Sequence, residues 1–435
     1  MHENFCRNIT TIIKETINTK EFIDLYKYSP SDFTRKATLD FPTLFCFLMN
    51  LRRSSNLNEL ESFFKQVQGT ELLNKTVTDG AFSQARRKLK AEAFIDVQGK
   101  IIKAFYQDYT WKKWHGHRLV GVDGSAIKIY GDDYCKAYFG VVDNGSESPY
   151  GLARVSQCYD VLNHVTLAAA ISPNSVGERE MALEHFQQIQ PYNDLVLLDR
   201  GYPGFCFFRA IINSGRQFCA RVALGTWTSI TEPFLKSGLK EQVVEYTPGY
   251  ETKKECEKAG LSTEPMRLRL VKIQLTTGEV EILITSLTDS VEYPHDLFAD
   301  LYHLRWGVEE AYKTLKCRIE IENFSGKSVL AVRQDFFAKV LMFNLTSMLI
   351  APIDEKLKET TVKNKWDYKV NRTRALAKMK GFGIIMFFRN HIQPIIQRLH
   401  QLFMIRPIEI RPDRSFPRKK NRNKIPFSFA YKPIS

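Results

Sequence analysis

The sequence lacks the cysteine motifs, long apolar runs and internal repeats that identify several common classes of protein. Its eight cysteines never occur as C-x-x-C and do not combine with the nine histidines at zinc-ligand spacing. We therefore predict reduced, mostly buried thiols, as in a cytosolic protein. The N-terminus has no uninterrupted apolar stretch, and the most apolar run, residues 329–350, is broken by Arg333, Asp335 and Lys339. We expect no secretion signal and no membrane span.

Acidic residues are also fewer than basic ones. The chain has 62 Lys and Arg against 48 Asp and Glu, which gives a formal net charge of +14. Basic side chains that neutralise phosphates supply most non-specific affinity for nucleic acids, so the charge favours a polyanionic partner. An anionic membrane surface would suit the same charge. With 44% apolar and 25% charged residues, the 435-residue chain has the composition of a globular protein of several domains.

Residues 1–105 are predicted to form a helical N-terminal DNA-binding domain. Helix starts are indicated at Asp40, at Ser54 or Ser55, and at Thr78. The helix that begins at Thr78 is basic, and its predicted outward-facing residues include Arg86, Arg87 and Lys88. Such a helix suits insertion into a DNA groove. A solvated basic face on a structural helix would give the same pattern, so both interpretations stay open.

Residues 106–222 are predicted to form the first part of an α/β core with the order β-β-β-α-β. The first strand carries Asp123 inside the apolar run VGVDG, and the fourth strand ends at Asp199. The two carboxylates can meet if these strands are neighbours, because side chains at strand ends project into the ligand-binding crevice of open sheets. An Asp at a strand end often only caps a turn. Asp123, however, would be costly inside an apolar run unless a cation compensates its charge.

The second half of the chain is predicted to contain an insertion, further helices and a tail. Residues 223–290 form a β-rich insertion with one clear hairpin, and residues 291–405 are the second part of the core with C-terminal helices. Residues 406–435 are basic and rich in proline. They are predicted either as an arm that lies on phosphates or a neighbouring subunit, or as a disordered tail.

The stretch YHLRWGVEEAYKTLK carries the strongest functional pattern. Treated as one helix, it places Tyr302, Arg305, Glu309 and Lys316 within about 60° of one another, whereas Glu310 points elsewhere. Such a stripe is, by itself, typical of a solvated helix face with ion pairs four residues apart. An acid, two cations and a phenol could equally serve a phosphate-binding site.

The stripe acquires a possible catalytic function when Glu309 is considered together with Asp123 and Asp199. In phosphodiester chemistry, two divalent ions activate the attacking oxygen and stabilise the leaving oxygen, and hard ions such as Mg²⁺ need carboxylate oxygens. Arg305 and Lys316 would then bind the phosphates that flank the scissile bond.

The spacing Tyr-x2-Arg-x3-Glu-x6-Lys at those four positions, with the two aspartates in VDGS and DRGY, resembles the DDE transposases of the insertion-sequence-four family. The resemblance implies a ribonuclease H-like core that is interrupted by the β-rich insertion. It also implies that Asp123, Asp199 and Glu309 bind two Mg²⁺ or Mn²⁺ ions. Tyr302, Arg305 and Lys316 would hold the phosphates of the transposon end.

The resemblance further implies cut-and-paste chemistry. Water first releases a 3′-OH at the transposon end, this hydroxyl forms a hairpin, and after reopening it attacks target DNA. Trp306 and Trp227 are candidates for stacking on a flipped base. The implied partners are inverted-repeat and target DNA and a second subunit in a homodimer, in the bacterial cytoplasm at the nucleoid. A related DNA nuclease without strand transfer and a domesticated, inactive DNA-binding protein stay as alternatives.

Overall fold

The computed structural model describes residues 2–73, 76–143, 145, 149–223, 225–274 and 278–411. The chain divides into two compact units. The first, which we call the helical unit, comprises residues 1–110, 128–152 and 313–435. The second, which we call the sheet unit, comprises residues 111–127 and 153–312.

Helices and strands are numbered separately in chain order. The helices are α1 (His2–Asn18), α2 (Lys20–Tyr26), α3 (Phe41–Met49), α4 (Asn56–Gln68), α5 (Asp79–Arg86), α6 (Glu92–Asp108), α7 (Asp133–Phe139), α8 (Glu178–Gln188), α9 (Phe205–Asn213), α10 (Thr228–Lys236), α11 (Tyr250–Lys258), α12 (Leu297–His303), α13 (Trp306–Cys317), α14 (Val329–Thr360), α15 (Arg372–Met379) and α16 (Gln393–Met404), with a 3-10 helix at Gly383–Phe388. The strands are β1 (Arg118–Ile129), β2 (Val141–Val142), β3 (Tyr150–Asp160), β4 (Val165–Pro173), β5 (Asp194–Leu198), β6 (Gln217–Val222), β7 (Glu241–Tyr246), β8 (Met266–Gln274), β9 (Val280–Thr285), β10 (Asp367–Lys369) and β11 (Ile408–Ile410).

The predicted helix starts are confirmed in the helical unit. The side chains of Asp40, Ser55 and Thr78 accept hydrogen bonds from backbone N–H groups three residues later, at the beginning of α3, α4 and α5. β11 pairs antiparallel with β10, so the first residues of the predicted tail are held in a small sheet. Residues 412–435 lie outside the described part of the chain.

Helix α14 forms the core of the helical unit. By length and composition it could cross a membrane, but 94% of its most apolar window is buried inside the protein. Its buried Asp335 accepts hydrogen bonds from Arg52 at 2.6 Å and from Arg86 at 3.1 Å. Burial opposes ionisation of Asp335, but the two guanidinium groups outweigh it and hold the pKa of that carboxyl below its usual range.

The position of Arg86 corrects the sequence prediction for α5. We expected Arg86 to face outward, but its side chain is buried and also donates to Gln334 Oε1 at 3.0 Å. Our prediction of a helix that continues through Lys88 is also wrong, since α5 ends at Arg86. Arg87 and Lys88 follow it and are exposed.

A mixed sheet forms the sheet unit, with the strand order β4-β3-β1-β5-β6-β9-β8-β7 among the described residues. β1 pairs parallel with β5, and β5 pairs parallel with β6, whereas β3 and β4 pair antiparallel. The first strand of the core and the strand that ends before Asp199 are therefore neighbours. Strands β7, β8 and β9 of the predicted insertion extend this same sheet, because β9 pairs with β6.

Two cysteines of the sheet unit differ from the prediction of reduced thiols. Cys206 on α9 and Cys256 on α11 form a disulfide with a Cα–Cα distance of 5.5 Å, and the other six cysteines are free. The two residues are 50 positions apart, and no local pattern marks them as partners.

A buried ion triplet fixes the register of the central strands. Asp194, the first residue of β5, accepts hydrogen bonds from Arg118 on β1 at 2.7 and 2.9 Å. Arg216, just before β6, donates to the same carboxylate at 3.1 Å. All three side chains are at most 2% exposed. One carboxylate therefore ties together the beginnings of three parallel strands.

We predict that Asp194→Asn lowers the free energy of unfolding by about 3–5 kcal/mol, because it leaves two buried guanidinium groups without a counter-charge. Urea denaturation at neutral pH measures the loss. Asp367→Asn, a matched change at an exposed position, should leave the midpoint unchanged. Equal midpoints for Asp194→Asn and the wild type would show that the triplet does not stabilise the sheet.

Candidate active site

Asp123 and Asp199 lie at the same edge of two neighbouring parallel strands. The described register of β1 and β5 ends at Gly121 opposite Leu197. Each aspartate lies two residues beyond that pair, Asp123 within β1 and Asp199 directly after β5. Because adjacent strands are about 4.8 Å apart, the register places the two residues level with each other.

Glu309 reaches the same place on α13. Its neighbour Val308 packs on Gly121, where an added Cβ would lie 3.1 Å from the valine Cβ. Gly307 meets Val161 equally closely, at 3.1 Å from a Cβ built on the glycine. The two glycines therefore let the first turn of α13 lie close to β1, one residue before Glu309.

The predicted single helix from Tyr302 to Lys316 is interrupted. α12 ends at His303 and α13 begins at Trp306, so Arg305 lies in the turn between them. Tyr302 and Arg305 therefore do not share one continuous helix with Glu309 and Lys316. Tyr302, Arg305 and Glu309 nevertheless lie together, because Arg305 donates to Glu309 Oε1 at 2.8 Å and its guanidinium lies 5.5 Å from the Tyr302 ring centre.

Tyr302 and Arg305 face the acids and not the solvent. Arg305 is 2% exposed and Tyr302 5% exposed. The Tyr302 hydroxyl is 3.4 Å from both the Leu198 carbonyl oxygen and Asp199 Oδ1 and donates to them. In this structure they contact two of the three carboxylates, Asp199 and Glu309, and their role in binding DNA phosphates stays a prediction.

A second arginine, which the sequence patterns did not indicate, lies at the site. Arg221, on β6, donates to Asp199 Oδ1 at 2.8 Å and also binds Glu281 on β9. Although burial opposes ionisation of Asp199, the backbone N–H of Arg200 and the charges of Arg305 and Arg221 lower its pKa. The signal in the sequence was a lone arginine inside the apolar strand QFCARV, comparable to the lone Asp123 in VGVDG.

Asp123 has the opposite electrostatic environment. Burial raises the pKa of Asp123 to about 7, and the charges of Glu309 and Glu178 add to this effect. The N–H of Gly124, which donates to Asp123 Oδ1 at 3.0 Å, and the charge of Arg305 oppose it only in part. The site therefore holds one carboxyl whose negative charge is poorly compensated.

The donor types fit a divalent ion, but the geometry does not form a finished metal site. Three carboxylates at one sheet edge are the oxygen donors that Mg²⁺ prefers. Among the described residues, however, no group of three or more His, Cys, Asp or Glu side chains is placed to hold a metal ion. Arginines pair with Asp199 and Glu309. An ion near Asp123 would supply the positive charge that this carboxyl lacks.

Three predicted site residues remain to be located, namely Trp306, Trp227 and Lys316. Trp306, at the start of α13, is 40% exposed and lies 5.3 Å from the Arg305 guanidinium. Trp227, before α10, packs against Tyr246 at 4.5 Å between ring centres. Trp306 is therefore the more accessible of the two candidate stacking residues. Lys316 lies on α13 and is half-exposed.

We predict that Asp123→Asn stabilises the metal-free protein at high pH. A carboxyl with a raised pKa in the folded state destabilises the fold as pH rises from about 4 through 7, and asparagine carries no such charge. The gain in free energy of unfolding should be of the order of 2–4 kcal/mol at pH 8 and less than half of that at pH 4.5.

Urea denaturation in the presence of a chelator measures this gain at both pH values. Asp300→Asn, at an exposed position on α12, provides the control and should show no such gain. A gain for Asp123→Asn that is the same at both pH values would contradict the assigned environment.

Comparison with known proteins places this chain in a family. Residues 114–345 match the family described as Transposase DDE domain. The Escherichia coli (strain K12) transposase InsG of insertion sequence element IS4 is 25% identical over 285 residues, which cover 65% of this chain and 63% of the relative. The match thus spans less than two thirds of that relative's length.

A solved structure of piggyBac transposase, in a synaptic complex with hairpin DNA, has a TM-score of 0.46 and 12% identity. The comparison covers 93% of this chain and 86% of that one, and at this TM-score it supports no statement about the present fold. The family match contains Asp123, Asp199 and Glu309 and extends over more than half of the sequence. The chain belongs to the transposase DDE domain family.

Proposed function

We propose that this DDE transposase is the cut-and-paste transposase of an insertion sequence, within the insertion-sequence-four family. The observation that carries the proposal is the meeting of Asp123 and Asp199 on neighbouring parallel strands with Glu309 on the helix packed against β1. The Tyr-Arg-Glu-Lys spacing supports the finer family assignment. The substrates are the inverted repeats at the transposon ends and the target DNA.

A ribonuclease H-like core is part of this proposal. The strand order β4-β3-β1-β5-β6, with β1, β5 and β6 parallel and β4 antiparallel to β3, supports it. The helix α8 lies between β4 and β5 in the chain. If the core strands are counted as β1, β3, β4 and β5, this is the predicted order β-β-β-α-β.

Asp123, Asp199 and Glu309 would hold two Mg²⁺ or Mn²⁺ ions. When bound, two divalent ions activate the attacking oxygen and stabilise the leaving oxygen of a phosphodiester. The protein contributes the position of the three acids, which the sheet register and the close packing of α13 define. Arg305 and Arg221 neutralise Glu309 and Asp199 in the metal-free protein.

Residues of both units would contact the DNA. Arg305 and Tyr302 would bind the phosphates next to the scissile bond, Lys316 would bind a further phosphate, and Trp306 would stack on a flipped base. Arg87 and Lys88 would contact the inverted repeat. Cleavage proceeds through a 3′-OH and a hairpin, within a homodimer that pairs the two ends, in the bacterial cytoplasm at the nucleoid.

We predict that Asp123→Asn, Asp199→Asn and Glu309→Gln each reduce Mg²⁺-dependent nicking at a transposon end by at least about a thousandfold, since each removes a metal-binding carboxylate. The substrate is a duplex that contains the inverted repeat flanking the coding region. Binding to this duplex should stay within a few-fold of the wild type.

Glu310→Gln is the matched control, since Glu310 follows Glu309 on α13 and is exposed. It should cleave almost as the wild type does. Full cleavage by any of the three acid variants would refute the assignment of that residue. Cleavage by the wild type without joining of the released end to target DNA would favour a nuclease, and no cleavage would favour an inactive DNA-binding protein.

We further predict that Arg87→Ala, Lys88→Ala and Lys316→Ala each reduce the slope of log K against log salt concentration by about one, because each removes one phosphate contact. Binding of the inverted-repeat duplex between low and physiological salt measures the slope. Arg86→Met is the control, because Arg86 is buried and should affect stability but not the slope. An unchanged slope would place the substituted residue away from the phosphates.

A further inference from the structure

A fourth carboxyl group lies beside Asp123. Glu178, the first residue of α8, packs on the backbone of Gly124. A Cβ added to this glycine would lie 2.7 Å from Glu178 Cδ and 2.9 Å from its Oε1. The N–H of the same glycine donates to Asp123 Oδ1 at 3.0 Å. Gly124, which has no side chain, therefore lies in contact with the carboxyl groups of both Asp123 and Glu178.

Glu178 is held in a defined orientation. Arg154, on β3, donates from Nη1 to Glu178 Oε1 at 3.1 Å and from Nη2 to Asn174 Oδ1 at 3.4 Å. The glutamate side chain keeps 39% of its surface exposed. It is therefore fixed from one side by a guanidinium and remains accessible from the other.

A buried hydroxyl without a hydrogen-bond partner in the described part of the chain lies on the turn that follows Asp199. Tyr202 is 2% exposed, and its hydroxyl has no hydrogen-bond partner among the described residues. The backbone N–H of Tyr202 donates to the Asp199 carbonyl oxygen at 3.0 Å, so the residue lies in the turn that directly follows this acid. Burial chiefly raises the pKa of the Tyr202 hydroxyl, and the charges of Asp123, Glu178 and Asp199 raise it further. A buried donor without an acceptor is unfavourable. Its position indicates a ligand or bound water that completes the site.

We propose that Glu178 is a fourth active-site carboxylate, and that Glu178 and the Tyr202 hydroxyl help to hold a divalent cation beside Asp123. The inference rests on the proposed function for the presence of divalent ions at this site. Glu178 would add a further carboxylate oxygen donor beside Asp123, and its Oε1 is shared with Arg154. The Tyr202 hydroxyl would donate a hydrogen bond to a ligating carboxylate or to water on the ion.

Titration calorimetry with Mn²⁺ on the full-length protein without DNA tests this proposal. Glu178→Gln should weaken Mn²⁺ binding at least tenfold or remove one ion per chain. Tyr202→Phe should weaken binding about three- to tenfold while leaving the melting temperature of the metal-free protein unchanged or higher. Glu180→Gln, an exposed change on the same helix, should bind Mn²⁺ as the wild type does.

The outcomes separate the two proposals. Wild-type affinity and stoichiometry in Glu178→Gln would overturn the fourth carboxylate while leaving the proposed function intact. A wild-type protein that binds no Mn²⁺ would contradict the proposed function itself. If Glu178→Gln does not fold, as judged by circular dichroism, Tyr202→Phe decides, and unchanged Mn²⁺ affinity in that variant overturns the proposal.

Discussion

The parallel pairing of β1 with β5 is the constraint on which the site depends. A slip of one residue in a strand moves every side chain to the opposite face of the sheet. The buried carboxylate of Asp194 fixes this register from one end of the strands, through Arg118 and Arg216. Asp123 and Asp199 lie just beyond the other end of this pairing. The ion triplet at the N-terminal ends of these strands therefore helps to determine the relative position of Asp123 and Asp199 beyond the other end of their pairing.

Charge balance distinguishes the acids from one another. Asp199 and Glu309 have guanidinium partners, whereas Asp123 is half-buried with acids for neighbours and a raised pKa. A divalent cation bound by Asp199 or Glu309 would have to compete with these ion pairs, whereas one bound by Asp123 would not.

The sequence was most informative where the pattern was local. Strand periodicity was sufficient to place Asp123 within β1 and Asp199 after β5, and cap residues were sufficient for Asp40 and Thr78. Tertiary contacts decided the rest. The break before Trp306 accompanies the close packing of α13 on β1, and Arg86 is buried because Asp335, 249 residues away, accepts its hydrogen bond. The spacing of residues along one helix or strand cannot indicate a partner so far away in the sequence. The disulfide between Cys206 and Cys256 could not be predicted for the same reason.

The discontinuous helical unit has a consequence for synthesis. Arg52 cannot form its ion pair with Asp335 until the ribosome has added a further 283 residues. At typical bacterial or eukaryotic elongation rates this interval lasts roughly 15 to 60 seconds. All residues of the sheet unit lie before Asp335 in the chain. During that interval the faces of α1, α3 and α6 that later pack on α14 are uncovered. We therefore expect exposed apolar surface, and a tendency of the nascent chain to aggregate, until α14 has been made.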